Sequence, residues 1–143
     1  MNALTMSDAI PEVAAKTSKG VLAGRVLSGL AILFFVMDGA MKLVAQPMVA
    51  AASADLGWPT DSATITLLAV LLLGSTLLYA IPRTAVLGAI LLTGYLGGAV
   101  ATHVRVGSPL FSHVLFGVYL GIVVWGGLYF RDPRIRALLP LTR

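Results

Sequence analysis

Apolar positions in this chain run together instead of alternating with polar ones. Four stretches, Leu22–Val44, Ser62–Ile81, Thr84–Val104 and Leu110–Phe130, are predominantly apolar, and of these the first alone carries Asp, Glu, Lys or Arg. Each holds about the 20 mostly apolar residues that a helix rising 1.5 Å per residue needs to cross a bilayer. Within hydrocarbon every backbone N–H and C=O must be satisfied inside the segment, so these stretches are expected to be helices. Turn residues punctuate them. Pro47 suits the first turn of a helix, where its missing N–H leaves nothing unpaired, and a short helix is expected over Pro47–Leu56 at the membrane surface. Gly57 ends it, and Trp58-Pro59 marks an interfacial turn. Asp61 or Thr60 can cap the second span and Thr84 the third. Pro82 leaves almost no loop between them, so spans two and three form an antiparallel hairpin. Gly107-Ser108-Pro109 makes the last turn.

The pattern therefore predicts an all-α membrane protein. Its architecture is a four-transmembrane-helix antiparallel bundle with a short interfacial helix between the first and second spans. Residues 1–20 read as a polar tail, 21–131 as the transmembrane domain and 132–143 as a basic tail. Span length argues that the first stretch is a retained helix and not a secretory signal, whose apolar core is shorter.

Composition agrees with this reading and removes alternatives. Hydrophobic residues make up 58% of the 143 and charged ones 11%, against about 25% charged in a soluble domain. The net charge of +4 comes from residues at span ends, not from a basic patch with interleaved aromatics, so no nucleic-acid partner is expected. Cysteine is absent, which excludes disulfides and thiolate-bound clusters within the chain. A redox role would need a bound cofactor or a partner subunit. Of the ten basic residues, only Lys42 and Arg105 lie on the side away from the termini. The positive-inside rule then places both termini in the cytoplasm, with Trp125 and Tyr129 in the cytoplasmic aromatic belt and Trp58 in the opposite one.

Lipid tails are as apolar as leucine, so close backbone approach has to hold the spans together. Gly94, Gly97, Gly98 and Ala101 on the third span, and Gly117 and Gly121 on the fourth, predict a tight contact between these two helices or with another copy of the chain.

Charges inside a span are costly, about 2.5–3.5 kcal/mol each at the helix centre, and usually face the bundle interior. Asp38 and Lys42 are four apart and share a face, which Gln46 extends. Antiparallel threading brings them to the same end as Thr102, His103, Arg105 and the Ser112-His113 pair. The functional expectation is a polar pocket opening at the non-cytoplasmic end. Asp38, Lys42 and His103 are its candidate catalytic residues, and Gln46, Thr102, Arg105 and His113 its candidate ligand-binding residues. The histidines suit proton transfer or a hydrogen bond to a carbonyl. The bland reading is a structural Asp38–Lys42 ion pair with histidines as interface anchors. Arg25 can snorkel or pair with Asp132. Two histidines and Asp38 would suffice for an open zinc site, but nothing in their spacing demands one, and no metal is expected.

The pattern Arg25…Gly39-x-x-Lys42, Pro82 at the second-span exit, Gly88-Ala89 early in span three and Gly98-Ala99…Thr102-His103 at its end resembles the DoxX-like family. The resemblance covers about Gly24 to Arg131. It implies a four-helix protein of the bacterial cytoplasmic (inner) membrane, and it marks Gly39, Lys42, Thr102 and His103 as candidate site residues. The family's link to quinone-dependent oxidation makes a quinone the candidate cofactor. The expected partners are membrane lipids, a lipophilic small molecule, and a redox subunit or a second copy. The alternatives are an enzyme acting on a hydrophobic substrate with Asp38 as acid or base, a small transporter, and a structural subunit.

Overall fold

The computed structural model describes residues 18–138. The expected polar tail before Ser18 and the last residues of the basic tail lie outside the described residues. Four long helices carry the fold: α1 (Lys19–Val44), α3 (Ser62–Ala80), α4 (Ala85–Arg105) and α5 (Phe116–Arg131). Between the first two lies α2 (Gln46–Asp55), and α6 (Pro133–Leu138) follows α5. With the turn that precedes α5, all four spans are long and apolar enough to cross a membrane.

The local signals explain most boundaries. Pro47 falls in the first turn of α2, and Gly57 ends that helix with φ +67, a conformation open to glycine without strain. The Asp61 carboxylate caps α3 by accepting from Thr64 N at 2.9 Å. Thr84 behaves differently. It stands at the start of α4, but its hydroxyl caps nothing there and instead donates back to Leu78 O at 2.8 Å, closing the α3–α4 hairpin. The fourth span does not begin as an ordinary α-helix. Leu110–Val114 form a π turn, with Val114 N bonding Pro109 O and Leu115 N bonding Leu110 O.

Each long helix packs on two others. α1 lies against α3 and α5, α4 lies against the same two, and the backbones of the diagonal pairs stay apart. The helices are not amphipathic in the soluble sense. On α1 the buried stripe is Gly24, Ser28, Ala31, Phe35 and Gly39, while Leu22, Leu30, Leu33 and Met37 point outward. Small residues face in and large aliphatic ones face out, as expected when lipid is the solvent.

The expected glycine contact between α4 and α5 is mostly not made. A Cβ on Gly94, Gly97, Gly98 or Gly121 would meet nothing within 4 Å; only Gly117 packs tightly, under Val100 and Leu96. Close approach falls to other glycines: to Gly39, against the Leu73 side chain, and to three at the end of the bundle where α1 begins and α5 finishes. A Cβ on Gly24 would lie 2.5 Å from Arg131 N. One on Gly127 would lie 3.0 Å from the Tyr79 hydroxyl, and one on Gly88 would run into the Tyr79 backbone. Tyr79 is the hub there. Fully buried, it donates to Val124 O at 2.8 Å and accepts from Ser28 Oγ at 3.0 Å. The Arg131 guanidinium sits 4.9 Å from its ring centroid, a cation–π distance, and donates to its carbonyl at 3.0 Å.

One further expectation changes. Asp132 does not pair with Arg25; it accepts from Arg134 N at 2.9 Å and starts α6. Trp125 donates to Thr93 Oγ1 at 2.9 Å, about 9 Å from the end of α5 by helix rise.

Candidate functional site

At the end where α1 and α4 finish, the helices line an open cavity of about 610 Å³. Its walls come from α1, α2, α3, α4, the π turn and α5. They are mostly apolar: Phe34, Phe35, Leu68, Leu96, Phe116 and Leu120 line the deeper part. The polar side chains reach it as a group from the outer turns of α1 and α4 and from the π turn. Gly94 and Gly98 also line it. Their missing side chains make room for the cavity instead of drawing helices together.

Five of the seven expected site residues line this space: Asp38, Lys42, Thr102, His103 and His113. Lys42 Nζ donates to Asp38 Oδ2, the i,i+4 pairing that one helical face imposes. Both side chains are partly buried, so each lowers the other's cost of leaving water. His103 and His113 meet edge to face, with ring centroids 5.6 Å apart. The first shares a hydrogen bond with Ser108 Oγ at 2.9 Å, the second with Ser112 Oγ at 2.8 Å. In each ring the Nδ1 is engaged by a serine. An imidazole held at one nitrogen keeps the other for donation or acceptance.

The remaining two, Gln46 and Arg105, do not line the cavity. They hold the helix that covers it. Gln46 Oε1 accepts from Ser62 Oγ at 2.7 Å, and its Nε2 donates to Thr66 Oγ1 at 3.2 Å, tying the start of α2 to α3. Arg105 Nη2 donates to Leu56 O at 2.6 Å, fastening the end of α2 to α4. Between them Trp58 Nε1 donates to Thr102 Oγ1 at 3.3 Å, and that hydroxyl bonds Gly98 O at 2.9 Å. No residue of α2 is buried. The helix stays in place through polar ties at its ends, while Met48, Val49 and Ala52 roof the cavity.

Sequence reasoning missed Tyr95, the two phenylalanines of α1 and Trp58 as cavity residues. A signal existed for Tyr95. It precedes His103 by eight residues, close to two turns, and so shares its face. The α1 aromatics stand one turn before Asp38 and two before Lys42. Trp58 reads as an interface anchor in sequence, and only the fold of α2 brings it over Thr102. Among the described residues no three His, Cys, Asp or Glu converge as a metal-ligand set.

The cavity-forming region lies within a longer likeness. The model of the DoxX-like family matches residues 26–127, from the second turn of α1 to the last turns of α5. No curated protein and no solved structure matches the chain. With four apolar spans and a family match over well more than half its length, the chain is a multi-pass membrane protein that belongs to the DoxX-like family.

Proposed function

We propose that the cavity under α2 holds a lipophilic small molecule with a polar head, a quinone being the candidate, and that the protein serves a redox partner in the membrane. The observation that carries this is the cavity's division. Aromatic and aliphatic walls lie deep, and Lys42, His103 and His113 gather near the mouth. That suits an amphiphile entering tail first or ring first, and about 610 Å³ falls within the usual range for small-molecule sites. Lys42 and a histidine N–H would donate to a head-group oxygen, and Asp38 would hold Lys42 in position. A bound quinone would supply the electron-carrying chemistry that a cysteine-free chain lacks.

The membrane proposed is the bacterial inner membrane, with both termini in the cytoplasm and the cavity opening on the other side. The charge asymmetry supports this: Lys19, Arg25, Arg83, Arg131, Arg134 and Arg136 flank the terminal end, and only Lys42 and Arg105 the cavity end.

Protein purified in mild detergent should carry a lipophile near one-to-one stoichiometry, identified by mass spectrometry after extraction. The double variant Asp38→Asn, Lys42→Gln should lose it. A protein that retains no lipophile and binds no added quinone would defeat the proposal. The Asp38 carboxylate facing the cavity also favours an enzyme that uses it as acid or base. In that case the isolated protein consumes a hydrophobic substrate, and Asp38→Asn alone abolishes turnover.

A further inference from the structure

Tyr79 and Tyr95 make a telling pair. The Tyr79 hydroxyl is spent on Val124 O and Ser28. The Tyr95 hydroxyl has no hydrogen-bond partner among the described residues, and the side chain lines the cavity while its ring packs against the core. No buried side-chain nitrogen or oxygen among the described residues lacks a partner, so this hydroxyl is not sealed in: it is open to the cavity, where a ligand can reach it.

Its depth is informative. Counted along its own helix, Tyr95 lies about 15 Å below the Arg105 end of α4, level with Phe34 on α1 and roughly 6 Å deeper than Asp38. By the same count Lys42 and His103 lie about 3 Å from the ends of α1 and α4, so they address an outer level of the cavity, and Tyr95 an inner one about two turns further in, with Asp38 between them. Phe35, Gly98 and Ala99 also line the space between the two levels.

We infer that Tyr95 is a second recognition point, which selects ligands carrying a hydrogen-bonding oxygen on the far side of a ring from the head that meets Lys42 and His103. The inference rests on the ligand-binding reading above and sharpens it. A ring with oxygens at opposite positions spans both levels; a ring with a single oxygen satisfies only the outer one. Phe34 and Phe35 wall the ring between the two levels. Tyr95 is a binding residue in this account and transfers no electron.

The test compares two probes by isothermal titration in mild detergent: a fully substituted decyl-1,4-benzoquinone, and a decyl-substituted cyclohexenone with one carbonyl. The variant is Tyr95→Phe, which removes one oxygen and keeps the ring. Thermal midpoints establish that it folds, and Tyr119→Phe on an outward face of α5 serves as control. The dicarbonyl probe should bind the unaltered protein more tightly, and Tyr95→Phe should weaken it about fivefold, the value of one ordinary hydrogen bond. The monocarbonyl probe and the Tyr119→Phe control should be unchanged. Equal loss for both probes, or no loss for either, overturns the role of Tyr95 while leaving the cavity as a binding site. Failure of both probes to bind the unaltered protein overturns the ligand-binding reading, and the Tyr95 inference with it.

Discussion

The two ends of this molecule are built from the same residue types and do opposite things with them. At the terminal end, Gly24, Gly88 and Gly127 bring backbones into contact and Tyr79 spends all its hydrogen-bonding capacity. At the other end, Gly94 and Gly98 border empty space and Tyr95 leaves its hydroxyl open. A glycine in a membrane helix is thus either a contact or a vacancy, and which it is depends on what the neighbouring helix presents. Where a neighbouring backbone is present, as Tyr79 is for Gly88, the gap closes. Where α1 and α5 instead turn Phe35, Asp38 and Phe116 towards the cavity, the space beside the glycines stays open.

The contrast is easiest to break at its tightest point. Gly88→Val should destabilise the protein by about 3 kcal/mol or more, because the new side chain meets backbone that has nowhere to move; the thermal midpoint in detergent measures this. A midpoint near that of the unaltered protein would mean the ends are not different in kind. Tyr79→Phe comes next. It leaves Val124 O and Ser28 without their partner in a buried place and should cost about 1–3 kcal/mol. Arg105→Gln should cost less, about 1 kcal/mol, and the loss should be local. Amide hydrogen exchange should quicken in α2 while α3 and α4 stay protected; uniform change would deny that α2 is held by its ends.

Gly98→Leu sharpens the comparison from the other side. Its side chain would enter the cavity, so stability should shift within about 0.5 kcal/mol while binding of a decylquinone falls. The smallest effect concerns Asp61. Hydrogen bonds from Thr64 hold its exposed carboxyl below the ordinary value of 3.8. A carboxyl depressed in the folded state adds stability above its unfolded pKa, and loses it as pH falls through the folded one. Asp61→Asn should therefore lower the thermal midpoint slightly at pH 7 and close the gap below pH 3.8.

Much of the fold is legible in the chain because span length, proline and glycine act locally. Pro47, Gly57 and Asp61 each do what their chemistry dictates within a turn or two. The π turn at Leu110–Val114 is not legible, since its choice over an α turn depends on how α4 and α5 meet. The glycine contacts are not legible either: spacing shows that Gly94 and Gly98 share a face, but not what that face meets. For the site, helical periodicity brings Asp38, Lys42, Thr102 and His103 into view. Arg105 and Gln46 share that neighbourhood in sequence, but the fold of α2 over the mouth takes them for ties.

The chain contains two tryptophans, and the fold has put them in unlike places. Trp58 stands at the cavity mouth with its indole N–H on Thr102; Trp125 lies along an outward groove beside Gly97 and Gly121. A Trp125→Phe protein would emit from a single indole at the threshold of the site. Its fluorescence would report occupancy, and its lifetime the opening of α2, with no label attached.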